Sequence, residues 1–209
     1  VEPSDIDVVM DATSDLVIED GFDAVSISQI ARRSGIADAD ILALFGSLQD
    51  LLVSVLNREY GQMLRVILDN IERDPRGGLV SRIYLYTLTA VYERPLARAL
   101  YLMDRDGLNR IMRASHGFAY VPELGVRAAF IDRMKEAGMV RPEVSSEHVS
   151  AVLSAVSAGA ALMAPHSDLD RITEGLAFLL ERGVDADITD TSAGKAAFIE
   201  YATSLVGGS

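Results

Sequence analysis

The chain of 209 residues contains no cysteine. That excludes disulfides, thiolate metal sites and a thiol nucleophile, and it fits a reducing cytosol. No stretch reaches the roughly 18 to 20 uninterrupted apolar residues that a spanning helix needs; the nearest, 149–165, is rich in Ala, Ser and Gly. No basic segment followed by an apolar core opens the sequence, so a soluble cytoplasmic protein without membrane association is expected. The third shortage is positive charge. Residues 1–60 hold twelve acids, Glu2, Asp5, Asp7, Asp11, Asp15, Glu19, Asp20, Asp23, Asp38, Asp40, Asp50 and Glu59, against the three bases Arg32, Arg33 and Arg58, and so carry most of the net −12. Binding to nucleic acid rests largely on Lys and Arg neutralising phosphates, so the local charge disfavours DNA as a partner of this segment. What is present is a hydrophobic fraction of 49% in 22.5 kDa, enough for a substantial core and too much for wholesale disorder.

The periodicity is helical almost throughout. Ile6, Val9, Met10, Thr13, Leu16 and Val17 recur at three and four and predict a first helix that stops at Gly21. Ser26-Ile27-Ser28-Gln29 has the capping-box pattern and opens a short helix ending near Gly35. A third short helix is expected over 38–44, with Asp38 and Asp40 suited to its N-terminal dipole and to capping it. Ser47 and Asp50 begin a long fourth helix that runs to the break Asp74-Pro75-Arg76-Gly77-Gly78. Further helices are expected over 79–93, 96–104, 108–115, 123–137, 146–163, 169–182 and 191–205, with Gly138 and Gly183 as C-terminal stops. No hairpin dipeptide flanked by alternating residues occurs, so the fold class is all-α.

Several short runs then fall into one pattern: Gly21 to Ala31, Ser34-Gly35-Ile36, Leu44-Phe45-Gly46-Ser47 and Asp50-Leu51-Leu52. Gly35 supplies the positive φ of a turn between two short helices, and Phe22, Ile27, Ile30, Ala31, Ile36, Ile41 and Phe45 form the small core that fixes their crossing. This pattern resembles the N-terminal domain of TetR-type transcriptional regulators. The resemblance implies a helix-turn-helix domain over 1–48 and an all-helical ligand-binding and dimerisation domain over 49–209. It further implies that Ser26, Gln29, Arg32, Arg33 and Ser47 face DNA phosphates, and that Ala37, Asp38, Ala39, Asp40, Leu42, Ala43 and Leu44 occupy the reading helix. Leu48 stands where a lysine often contacts a phosphate. Asp7, Asp11 and Asp15 add a self-repelling acidic stripe on the first helix, with no benefit to folding expected from it.

In the second half, Tyr84, Leu88, Tyr92, Leu100, Met103, Met112, His116, Phe118, Tyr120, Phe130 and Met134 combine apolar bulk with a few hydroxyl and imidazole groups, the composition of a pocket between bundle helices. Ala151, Ser154, Ala155, Ala158 and Leu162, with Leu176, Leu179 and Leu180, are the candidate dimer interface, because small residues let helices approach and two-fold pairs are the commonest oligomers. His116, His148 and His166 are far apart and lack metal-ligand neighbours at helical spacing, and no nucleophile is tied to a base, so no metal, no cofactor and no enzymatic activity are expected. The function expected is a ligand-responsive transcriptional regulator, a homodimer answering to a small-molecule effector. The alternative is a degenerate relative whose acidic reading head does not bind DNA and which acts through a ligand or a protein partner.

Overall fold

The computed structural model describes residues 4–99, 128–163 and 169–206, and it is all-helical there. Helix α1 (Asp5–Asp20) begins at Ser4, whose Oγ accepts the Asp7 N–H at 3.3 Å, and ends at Gly21, where φ is +79°. A 3-10 turn (Phe22–Ala24) leads into α2 (Ile27–Ser34), α3 (Asp38–Phe45) and the long α4 (Leu48–Arg73). Then follow α5 (Val80–Glu93), α6 (Pro95–Arg98), α7 (Ala128–Glu136), α8 (Ser146–Met163), α9 (Leu169–Gly183) and α10 (Ser192–Val206). The expected helix over 108–115 lies outside the described residues, as do most of 96–104 and the start of 123–137. Gly138 follows α7 with φ +79°, whereas Gly183 is simply the last helical residue, without positive φ. A single antiparallel bridge, Val140 to Asp185, is the one extended pairing among the described residues.

The chain divides into two compact units, and α4 contributes residues to both. The first comprises the described residues 4–62 and 94–99, a larger unit than the helix-turn-helix stretch alone. Its core joins Val9, Leu16 and Val17 of α1 to Phe22, Ile30, Ile41, Leu51, Val55 and Leu56, with Leu96 from α6. All seven expected core residues are in this cluster: Phe22, Ile30 and Ile41 are buried, and Ile27, Ala31, Ile36 and Phe45 pack around them.

In the second unit α5 packs along α9, and α7 packs with α8 and α10. The buried residues Thr173, Leu176, Ala177 and Leu180 form the inward stripe of α9, at the spacing that a helix packed on one side requires. Phe130 lies edge-on to Phe198, with ring centroids 6.2 Å apart, and 5.0 Å from Tyr201. The start of α5 is held from a distance in sequence. The Gly78 N–H donates to Thr191 Oγ1 at 3.3 Å, the Ser81 N–H donates to Asp185 Oδ1 at 3.2 Å, and Thr191 Oγ1 donates to the Pro75 carbonyl at 2.9 Å. These backbones cross so closely that a Cβ on Gly78 would lie 2.0 Å from the Thr191 carbonyl oxygen. Among the described residues no single helix is long and apolar enough to cross a membrane.

Candidate functional site

The first candidate site is the α2–turn–α3 head. Gly35, at φ +74° and ψ 9°, makes the left-handed turn that Gly alone adopts without strain. Ser26 Oγ accepts the Gln29 N–H at 3.4 Å and donates to Gln29 Oε1 at 2.6 Å, so both polar side chains are engaged in capping α2. Ser47 does the same at α4, accepting the Asp50 N–H at 3.1 Å and donating to Asp50 Oδ2 at 2.6 Å. The cap of α3 is Ala37, whose side chain makes no capping bond, and this corrects the expectation for Asp38 and Asp40. Both already lie within the first helical turn, and Asp38 Oδ2 instead accepts the Ser28 hydroxyl at 2.9 Å, tying α3 to α2. Ala37, Asp38, Ala39, Asp40, Leu42, Ala43 and Leu44 are all exposed. Leu48, expected beside them, packs against the core.

Two of the three arginines expected in this segment are turned toward its acids. Arg33 reaches Glu19 with both terminal nitrogens, at 2.9 and 2.5 Å, with Asp15 at 3.9 Å. The Arg33 guanidinium holds the Glu19 carboxyl below the usual carboxylate range, and Glu19 in turn raises Arg33. Arg58 meets Asp11 at 2.7 Å and Ser14 Oγ at 3.3 Å. Arg32 bonds its Nε to the Ser28 carbonyl at 3.2 Å. The acidic stripe of α1 is therefore not idle in folding: Asp11 and Asp15, with Glu19, bind arginines arriving from α2 and α4. Sequence spacing carried no sign of this, since the partners lie on other helices.

The second candidate site is in the helical body. Tyr84 is buried on α5, donates to the Leu153 carbonyl at 3.1 Å and shares a short hydrogen bond with Ser157 Oγ on α8. Burial raises the Tyr84 hydroxyl above its ordinary range, with the Ser157 bond acting the other way. Leu88 is buried and Tyr92 half-buried on the same helix, and Tyr92 is raised first by its own burial and then by Tyr84. Phe130 and Met134 are buried. Leu100, Met103, Met112, His116, Phe118 and Tyr120 lie outside the described residues. Ser157 of α8, not singled out from the sequence, is the buried polar partner of Tyr84; only a contact across 73 residues reveals it.

A third surface concerns α8 and α9. Ala151 and Ala155 are exposed and Ser154 is intermediate, while the side chains of Ala158 and Leu162 lie outside the described residues. Leu176 and Leu180 are buried in the stripe of α9 that packs inward, whereas Leu179 is 66% exposed. Val152 and Phe178, not singled out from the sequence, are 57% and 58% exposed. Arg182 lies over the Phe178 ring, 5.6 Å from its centroid.

Residues 9–55 match the model for bacterial regulatory proteins of the tetR family. The fatty acid metabolism regulator protein of Bacillus subtilis (strain 168) is 28% identical over 64 residues, 31% of this chain and 33% of that protein, so the match spans about a third of the relative's length. The fatty acid degradation regulator FadR from Bacillus halodurans is 16% identical over 86% of this chain and 96% of its own, with a TM-score of 0.59. FadR from Bacillus subtilis, solved with stearoyl-CoA, is 14% identical over 83% and 96%, with a TM-score of 0.57. NalD, the secondary repressor of the MexAB-OprM multidrug efflux pump in Pseudomonas aeruginosa, is 16% identical over 88% and 98%, with a TM-score of 0.57.

Proposed function

We propose that this chain, which has the TetR/AcrR-family regulator fold, is an effector-responsive transcriptional regulator acting as a homodimer. The observation that carries this reading is the head itself: two short helices joined through the left-handed Gly35, with the second helix exposed along its outer side. That is the arrangement by which a recognition helix enters a major groove, and a two-fold pair of heads reads half-sites about one helical turn apart. The effector site proposed lies around Tyr84, Leu88 and Tyr92, where an apolar wall carries the Tyr92 hydroxyl to orient a ligand, that of Tyr84 being engaged by Leu153 and Ser157. An effector that prefers one position of α4 would change the spacing of the two heads, and the coupling would be reciprocal. Stearoyl-CoA, present in the Bacillus subtilis FadR structure, is the first effector probe.

A second reading is favoured by the side chains of the head. No residue of α3 has a side-chain donor, and Asp38 and Asp40 stand in its first turn. Arg33 and Arg58 are paired with Glu19 and Asp11. Phosphate contacts fix a protein on DNA and base contacts give sequence, and this head is poor in groups for either. On this reading the regulator fold is kept while the head holds no DNA by itself.

Retention on a mixed genomic DNA pool at low salt separates the two. The full chain and an Asp38→Lys/Asp40→Lys variant are compared. Selection of a discrete sequence by the native chain supports the DNA reader. Binding that appears only in the charge-reversed variant supports the second reading, because the fold is then shown to be competent and the charge decisive.

A further inference from the structure

We propose that α3 reads DNA through methyl groups: the outward ridge made by Ala39 and Ala43 selects a half-site by the 5-methyl groups of thymine in the major groove. The inference rests on the first reading, a head that holds DNA, and names the base feature which that head distinguishes. The ligand follows from the helix-turn-helix arrangement of the head, with α3 as its second, reading helix. What α3 takes from that ligand follows from its side chains.

Ile41 is wholly buried and fixes the inward direction of α3. At 3.6 residues per turn, Ala39 and Ala43 each lie within about 20° of the opposite direction, one turn apart. Both are exposed. Leu42 stands on one flank of this ridge and Asp40 on the other, and Asp38, on the flank of Leu42, is occupied by the Ser28 hydroxyl at 2.9 Å. The ridge that enters a groove deepest therefore ends in two methyl groups and has no side-chain hydrogen-bonding atom. Base pairs offer donors and acceptors to the major groove, and thymine adds a methyl group. Alanine pairs with none of the polar edges, but its methyl packs on that of thymine. Side chains this short also let the helix backbone come near the base edges, as contact between methyl groups requires. Positioning on the backbone falls to other groups of the head. Arg32 bonds through its Nε to the Ser28 carbonyl, which leaves its terminal nitrogens for a phosphate.

The test selects duplexes from a random pool with the full chain at low salt, then rebuilds the best duplex with thymine replaced by uracil, one position at a time. Uracil lacks only the methyl and keeps every hydrogen bond of the pair. Burial of one methyl corresponds to about a three- to four-fold change in affinity, so uracil should weaken binding by that factor at two or more positions of each half-site. Ala39→Ser/Ala43→Ser, with its fold verified by circular dichroism, should bind the thymine and uracil duplexes about equally well. Ala43→Ser alone should lose the uracil effect at one of the positions and keep it at the other. A selected duplex that uracil leaves unweakened overturns the proposal while the DNA reader stands. So does a uracil effect of unchanged size in the double serine variant, because the methyls then act through duplex shape and stiffness. Selection of no duplex removes the DNA reader, and the proposal with it.

Discussion

A buried carboxylate with an unpartnered oxygen sits at the start of α5. Asp185 is 2% exposed; its Oδ1 accepts the Ser81 N–H, while its Oδ2 has no hydrogen-bond partner. Burial raises its carboxyl above the usual range, with Ser81 pulling the other way. The folded state thus holds this proton more tightly than the unfolded chain. The associated stability is fully present below the ordinary carboxylate pKa and is lost as pH rises through the folded value. Asp185→Asn keeps an oxygen for the Ser81 N–H and removes the charge. The amide nitrogen takes the place of Oδ2, so what the variant removes is the desolvation cost of the buried charge; it should melt higher at pH 7, by about 2–4 °C for each kcal/mol recovered. The gain should close toward pH 3, and thermal melts at the two pH values check it. Individual residues were unevenly legible in the sequence. Tyr84 stood out as a polar group on an apolar helix. Ser157, Glu19 as the partner of Arg33, and Asp11 as the partner of Arg58 did not, because each pairing crosses between helices and no local spacing encodes it.

At the scale of elements, the helix starts were readable where a side chain performs the capping. Ser26 and Ser47 accept the N–H groups three residues on, and that relation lies within four residues of sequence. The start of α3 was less readable, because two aspartates resemble caps, yet the capping position needs the extended backbone that Ala37 adopts, at φ −65° and ψ 147°. Ala37→Ser should therefore stabilise the head by about 0.5–1 kcal/mol, since Ser caps well and Ala caps poorly. Ser26→Ala should destabilise it by about 1 kcal/mol on the same ground. Chemical denaturation of each variant against the native chain measures both, and unchanged midpoints would show that the caps are replaced by water. The Val140 to Asp185 bridge had no sequence signal, because a single extended pair between residues 45 apart leaves no period to detect.

For the whole molecule, self-association through α9 depends on which of its leucines face outward. A period-based reading groups Leu176, Leu179 and Leu180, but the inward stripe takes Leu176 and Leu180 and leaves Leu179 exposed next to Phe178. A homodimer interface on this helix must use the latter pair. Burying a Leu or Phe side chain is worth about 1.5–3 kcal/mol, and a two-fold axis makes each contribution count twice. Phe178→Glu/Leu179→Glu should therefore weaken self-association by on the order of a thousand-fold or more, at about 1.4 kcal/mol per ten-fold, and leave a folded monomer in sedimentation velocity. Leu176→Glu should instead lower the melting temperature, because it places a charge in the packed face against α5. Salt adds an independent check. Each protomer carries a net charge of −12, so association works against like-charge repulsion that salt screens. The proposed dimer should tighten as ionic strength rises, whereas any contact with DNA phosphates should weaken over the same range. A dimer that loosens with salt would place the interface at charged contacts and away from Phe178 and Leu179.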